Sequence, residues 1–280
     1  MAVLLALGCA VVYGASDFLG GLSTRRTSVF GVVGLSQVAG LVALVALLPW
    51  LGGPVDRTDL LWGVAAGIAG AAGLVIFFRT LARGVMSVIA PVTALTAAAV
   101  PVLVGLAGGD RVAPWAAVGI VLALAAVVLV SAEGGLSALR AAPPASLAPA
   151  LLAGSMFGSF FVLLDRTSDD SGLTPLVAAR LASVVVVVLV ALAGRQSLRV
   201  TRPTLPLVLA SGLGDMTANA LFLLATQQPG QLSITGVLAA LYPVSTVVLA
   251  QIVLRERLVA AQVAGLGTAV AAVVLITLPG

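Results

Sequence analysis

Apolar runs of about 20 residues follow one another along the whole chain, each interrupted by a short cluster of Gly, Pro, Ser or Arg. A run of that length, coiled as a helix, crosses the ~30 Å hydrocarbon core of a bilayer. None shows the two-residue alternation of a lipid-facing barrel strand. Since only helices and closed barrels satisfy every backbone polar group in lipid, the pattern predicts an all-α polytopic membrane protein. Ten spans are expected, near 3–22, 29–49, 60–80, 85–107, 113–132, 147–165, 174–193, 205–226, 231–254 and 258–278. The longest connection, 133–146 (EGGLSALRAAPPAS), carries the Gly, Ser and paired Pro of a linker at the midpoint.

Composition agrees with the pattern. Hydrophobic residues make up 61% and charged residues 9%, with a mean hydropathy of +1.21. A soluble domain carries roughly 25% charged residues, so a water-soluble globule is excluded. The first apolar run has no basic residue before it and contains Asp17, which identifies a retained span rather than a cleaved leader. The single cysteine, Cys9, lies inside that span, so no intrachain disulfide can form. Histidine and lysine are absent, and all 14 basic residues are arginine. A pI near 10.5 then reflects loop arginines facing anionic lipid rather than a nucleic-acid surface. One side of the membrane receives Arg25, Arg26, Arg79, Arg83, Arg140, Arg195, Arg199, Arg202, Arg255 and Arg257. The side with both termini receives Arg57, Arg111 and Arg166. The positive-inside rule puts the richer side in the cytoplasm and both termini outside.

The chain repeats itself. Shifted by 146 residues, GVMSVIAPVTALTAAAVPVLVGLAGGDRV (84–112) falls on GQLSITGVLAALYPVSTVVLAQIVLRERL (230–258), and GIVLALAAVVLV (119–130) on GLGTAVAAVVLI (265–276). Fourteen of 47 positions agree between 84–130 and 230–276, among them Gly84 with Gly230, Ser87 with Ser233 and Arg111 with Arg257. Asp110 falls on Glu256, and Tyr13-Gly14 echoes Phe157-Gly158 at a slightly different offset. Five spans per copy is an odd number, so the copies must enter the membrane in opposite directions. Such inverted repeats place a substrate site near the midplane between the copies and rock one against the other. The repeats are expected over 1–132 and 147–280, with 133–146 as the linker.

Three motifs carry a family resemblance: GxxSxxxP at the head of the fourth span, LYPVSTVVLA followed by RERL in the ninth, and GLGTAVAAVVLI in the tenth. Together with the two five-span copies, they resemble the EamA-like permeases of the drug/metabolite transporter superfamily. That resemblance implies a secondary carrier, many family members exporting amino acids or other small metabolites, with relatives moving nucleotide sugars, sugar phosphates or lipid-linked sugars. The chain departs from it in two respects. Thr96-Ala97 stands in the first copy where Tyr242-Pro243 stands in the second, and the family expectation of cytoplasmic termini opposes the arginine count.

The candidate cavity residues are Tyr13, Asp17, Gln37, Arg180, Asp215, Asn219, Tyr242 and Pro243. Intramembrane ionisable residues are costly and usually functional. Asp215 and Asn219 are one turn apart and share a helix face. Arg180 needs an anion, which could be Asp17, Asp215 or a substrate carboxylate or phosphate; a substrate contact, a static buried pair and snorkelling to the interface are all open. Gln37 holds the matching place in the second span. Asp17 is either a cavity residue or interfacial. Pro243 is expected to kink the ninth span, with Tyr242 lining the bend or packing in an interface. Gly63, Gly67, Gly70 and Gly73 run along one face of the third span, as close helix contact requires. Trp50, Trp62 and Trp115 fall at span ends, as interface anchors do.

Without histidine, zinc-protease and His-activated nucleophile chemistry are excluded. Without lysine there is no phosphate-binding loop to hydrolyse ATP. The sequence therefore reads as a transporter rather than an enzyme, with no cofactor: an exporter in the bacterial plasma membrane, monomeric or homodimeric, acting on a small-molecule substrate among membrane lipids. A proton is the candidate coupling ion, carried by Asp215 or Asp17. The alternative is a flippase for a lipid-linked or amphipathic substrate.

Overall fold

In the computed structural model, which describes residues 1–81, 86–131, 144–229 and 231–278, the apolar runs are helices. They are α1 (Ala2–Thr24), α2 (Val29–Leu51), α3 (Arg57–Leu81), α4 (Met86–Ala107), α5 (Pro114–Ser131), α6 (Pro144–Asp165), α7 (Thr174–Ala193), α8 (Leu205–Thr226), α9 (Leu232–Ala239), α10 (Tyr242–Leu254) and α11 (Ala260–Thr277). They make ten segments long and apolar enough to cross a membrane, α9 and α10 together forming the ninth. The protein is an integral multi-pass membrane protein. Span ends fall close to those expected. α3 starts earlier, at Arg57, and α6 starts at Pro144, where the missing N–H of proline costs a first-turn position nothing. Gly84, Gly230 and most of the 133–146 stretch lie outside the described residues.

The packing shows how the two copies are related. α1 lies on α8 as α6 lies on α3, and α2 on α8 as α7 on α3; α4 meets α6 as α9 and α10 meet α1. Three contacts join an element to its own counterpart: α2 with α7, α4 with α9, and α5 with α11. Between α5 and α11, a Cβ added at Gly119 would meet Ile276 and one added at Gly265 would meet Val130. These are the same contact viewed from the two copies, since 119 and 265, like 130 and 276, are 146 residues apart. Residue 119 sits by 276 while 130 sits by 265, so the counterparts run antiparallel. The fold is therefore two inverted five-helix repeats.

Close approach of backbones holds the halves together, because water expulsion gives little drive between helices surrounded by lipid. The glycine face of α3 divides its contacts. Gly63 and Gly67 rest on the backbone of α7 at Pro175 and Ala179, while Gly70 and Gly73 rest on Phe160 and Phe157 of α6. Gly212 in α8 sits on the backbone of Ser36 in α2, the counterpart of Gly67 on Ala179. The residues that follow, Gln37 and Arg180, thus occupy equivalent places in the two copies. At the ends, Trp50 is exposed and the Trp115 indole donates to the Leu278 carbonyl at 3.3 Å.

The ninth span breaks outright instead of bending. α9 stops at Ala239 and α10 restarts at Tyr242, with the turn held by Ala240 N–H to Gly236 O (3.0 Å) and Leu241 N–H to Leu238 O (3.2 Å). Pro243 has no N–H to return to the Ala239 carbonyl, so the helical ladder cannot cross this point. Local hydroxyls act at the restart: Ser245 and Thr246 donate to the Tyr242 carbonyl at 2.9 and 3.2 Å. The same hydroxyls also donate to Ala10 O and Gly14 O of α1. Gly14 has no room for a side chain here, since a Cβ would run into Ser245 Oγ and Tyr242 O. α4, the counterpart in the first copy, is continuous despite Pro91 and Pro101.

Gly67→Ala should lower stability by about 1–3 kcal/mol, because the new methyl meets backbone that cannot turn aside. Gly267→Ala, at an exposed helical site with open space around it, should be neutral or stabilise by up to about 1 kcal/mol. Thermal unfolding of the two purified variants in one detergent compares them directly.

Candidate functional site

Near the middle of the bundle, α1 of the first copy faces α8 of the second, running antiparallel to it. Ser16 Oγ donates to the Ser211 carbonyl at 2.6 Å, and Ser211 Oγ returns a bond to the Ser16 carbonyl at 2.9 Å. This reciprocal pair fixes the register. Two turns further along α8, it brings Tyr13 opposite Asn219, and the Tyr13 hydroxyl donates to Asn219 Oδ1 at 3.2 Å. Asn219 is buried, and its Nδ2 donates back one turn to the Asp215 carbonyl at 2.8 Å. The amide thus has partners on both ends, which holds its orientation.

Asp215 carries the charged contact. Arg180 Nη2 donates to Asp215 Oδ2 at 2.6 Å, and the same nitrogen lies 3.6 Å from Met216 Sδ. The arginine side chain is 10% exposed and the aspartate 29%, so the pair is largely dry with one open flank on the carboxylate. Of the three fates open to Arg180 from sequence, the structure shows the paired one. Gln37, in the equivalent place, accepts a bond from Ser183 Oγ at 2.5 Å, and Ser183 also donates to the Arg180 carbonyl at 3.0 Å. A neutral α2–α7 contact therefore steadies the arginine from behind.

The aromatic side of the site comes from α1, α6, α8 and α10. The Tyr13 and Tyr242 rings stand 5.7 Å apart, tilted by 40°. Tyr13 meets the edge of Phe161 at 6.4 Å, and Phe161 packs on Phe222 at 4.5 Å. Tyr242 sits at the first turn of α10, so the break in the ninth span aims its ring at Tyr13. Pro243 is buried beneath it.

Asp17 lies seven residues before the end of α1, about 10 Å from the helix terminus at 1.5 Å per residue. It is exposed, and Tyr13 lies one helical turn before it on the same face of α1. Tyr13, Arg180, Asp215, Asn219 and Tyr242 therefore form one cluster drawn from both copies, with Asp17 one turn from Tyr13, Gln37 one contact removed and Pro243 shaping the turn.

Hydrogen bonds tie the loops at both ends of the bundle; on the arginine-rich side the Thr27 and Ser28 hydroxyls donate to the carbonyls of Arg199 and Ser197. On the side of the termini, buried Asp59 accepts both the Ser168 backbone N–H (2.9 Å) and its hydroxyl (2.5 Å). Gln227 donates to Ser171 Oγ and Gly172 O, and Leu173 N–H reaches Leu51 O at 2.9 Å. Asp110 Oδ2 accepts from Ser233 N–H (2.8 Å) and Ser233 Oγ (2.7 Å), which ties the 108–113 loop to the first turn of α9. Glu256 is the repeat counterpart of Asp110. Both follow a residue in the left-handed region, Gly109 (φ 103°) and Arg255 (φ 56°). On the arginine-rich side Glu256 meets Arg25 at 3.6 Å, with both side chains more than half exposed. Such an exposed pair contributes little.

Sequence reasoning reached the charged members of the cluster but missed the aromatic wall and the closures. Phe161 and Phe222 read as ordinary span residues. Asp59 sat at the start of a span and gave no sign that it would be buried against Ser168. Asp110 left a usable signal, because Ser87 and Ser233 coincide in the same repeat alignment that matches Asp110 to Glu256.

Losing one member of a fully buried ion pair costs about 3–5 kcal/mol. With one flank of Asp215 open, Arg180→Ala should destabilise by somewhat less, about 2 kcal/mol. Asp215→Asn combined with Arg180→Met should cost less than the sum of the single changes, since neither charge is left unpaired. A thermal-unfolding double-mutant cycle reads the coupling; strict additivity would mean the pair contributes nothing.

No curated protein matches the chain. A solved structure titled "Crystal structure of protein" superposes with a TM-score of 0.80, covering 99% of this chain and 96% of that one at 19% identity. At that identity the likeness is one of fold. The sequence profile of the EamA-like transporter family matches twice, over residues 1–132 and 146–278, once for each repeat. The chain belongs to the EamA-like transporter family, and is a transporter of the drug/metabolite type.

Proposed function

We propose that the protein is a secondary exporter of small metabolites such as amino acids, working in a bacterial plasma membrane by alternating access. The units that rock are 1–132 and 147–280, joined by 133–146. One observation carries this reading: an ion pair, an amide and two tyrosines drawn from both copies meet at mid-span, beside the one broken membrane helix among the described residues. Polar groups in that position are expensive unless a substrate or ion passes there. Broken helices next to them are the usual way a carrier exposes backbone to its site.

Asp110 with Ser233 acts as the lock on the side of the termini. Glu256 is the counterpart that engages when the other side closes. The different settings of the two counterparts support this assignment: Asp110 is bonded to Ser233 on one side, and Glu256 is in an exposed ion pair with Arg25 on the other. Asp17, nearer the arginine-rich side, is the first group a substrate entering from there meets. The carboxylates at Asp17 and Asp215 favour a proton as the coupling ion.

An amphipathic, lipid-linked substrate moved by a flippase is the second reading. A shallow recess lined by Val29, Phe30, Val33, Leu74, Val75, Phe78 and Val187, with about 10 Å³ of free space, favours it. The recess is wholly apolar and lies two turns along α7 from Arg180, where it offers contact to a hydrocarbon chain and no polar partner to an amino acid.

In proteoliposomes, counterflow of a radiolabelled amino-acid panel should show uptake that Asp215→Asn abolishes. Uptake unchanged in that variant would remove the cluster from the pathway, and movement of a fluorescent lipid in place of any amino acid would select the flippase. The lock has its own measure in the native thiol. Cys9 is buried in the α1–α8 contact, so N-ethylmaleimide should label it slowly in the wild type and several-fold faster in Asp110→Asn or Ser233→Ala. Equal rates would show that the contact locks nothing.

A further inference from the structure

The charge count of the central cluster is unbalanced. Arg180 is the one cation in it, and its guanidinium is already held by Asp215 at 2.6 Å. That leaves Asp17, a second carboxylate one helical turn beyond Tyr13 on α1 and with no ion-pair or hydrogen-bond partner among the described residues. Two aspartates against one arginine leave the site with a net formal charge of −1. For a group so far from either end of its span, a lone carboxylate is costly unless something positive arrives to meet it.

The neighbouring surface suits an organic cation. Tyr13 lies one helical turn before Asp17 on the same face of α1, and the Tyr13 and Tyr242 rings stand 5.7 Å apart, inclined at 40°. Aromatic faces carry the negative end of the ring quadrupole and attract a cation within about 6 Å of the centroid. The hydroxyl of Tyr13 is committed to Asn219, which leaves its ring as the available surface. An anionic substrate would find the opposite: its only cationic partner is occupied, and its approach is opposed by Asp17.

We infer that the site takes a substrate bearing an ammonium group, with the cation between Asp17 and the Tyr13–Tyr242 rings and the apolar body toward Phe161. Arg180 is then a positioning residue that holds Asp215 in place, not a substrate contact. This rests on the reading of the cluster as the transport site, but it commits to the charge of the ligand, which that reading leaves open.

Benzyltrimethylammonium, its uncharged isostere neopentylbenzene and the anion phenylacetate form a matched probe set. Titrated into the detergent-purified full chain by calorimetry, the wild type should bind the cation and neither of the others. Asp17→Asn should weaken that binding by about tenfold or more, while Asp17→Glu, which keeps the charge, should retain it. Tyr242→Phe should retain binding and Tyr242→Leu should lose it, which separates the ring from the hydroxyl. Binding of neopentylbenzene as tight as that of the cation, preference for phenylacetate, no cation binding at millimolar concentration, or an unchanged affinity in a folded Asp17→Asn variant would each overturn the inference. The two readings fail separately. Asp215-dependent counterflow of an amino acid without cation binding would leave the transport site standing and the cation preference rejected. Asp17-dependent cation binding, with no substrate moved in liposomes, would do the reverse.

Discussion

A backbone N–H or C=O in hydrocarbon has no water to bond to, so each must be satisfied within the protein. Most of this structure follows from that constraint. It fixes ten apolar runs as helices, and it leaves helix–helix contact to be driven by close packing rather than by burial from water. The bundle meets that demand with glycine at the crossings. Gly67 and Gly212 let α3 and α8 touch the backbones of α7 and α2, while Gly119 and Gly265 do the same between α5 and α11. The crossings are placed in pairs because the sequence is doubled, and the pairs are antiparallel because each copy holds an odd number of spans.

The same constraint explains why the break in the ninth span lies where it does. At Ala240–Leu241 the ladder is interrupted and carbonyls are released, which would be intolerable against lipid. Here the break is pressed against α1, and hydroxyls on Ser245 and Thr246 bridge the Tyr242 carbonyl to carbonyls of α1. The cover requires Gly14, since any side chain there would displace those groups. A local sequence feature, Tyr-Pro, thus becomes a broken helix only because a distant glycine allows another helix to cover it.

That dependence sets the limit of what the sequence could reveal. The spans, the doubling and the inverted topology are properties of composition and period, and they were legible. Pro243 was legible as a disturbance, but whether it bends or breaks the helix depends on the turn at Ala240 and on the partner at Gly14, 229 residues away. Asp17 was ambiguous for a similar reason: its depth depends on α1 continuing to Thr24, and its role on which face α8 covers. The partner of Arg180 could not be chosen from sequence, because Asp17 and Asp215 differ only in which of them the register of Ser16 on Ser211 brings within reach.

The charged and broken features belong unequally to the two copies. Arg180, Asp215 and Asn219 and the break before Tyr242 lie in the second copy, while the first has Gln37 and a continuous α4 in the matching places. A scaffold kept only for packing would gain nothing from such a difference, since symmetric copies pack symmetrically. A carrier needs pseudo-symmetry only in the elements that exchange conformations, and here the repeat symmetry is kept in the α5–α11 and α2–α7 contacts. Its binding residues are free to diverge, because one substrate occupies one site. The first copy nonetheless contributes Tyr13 and Asp17. The cluster is therefore assembled only where the halves meet, and a change in their relative position must alter it.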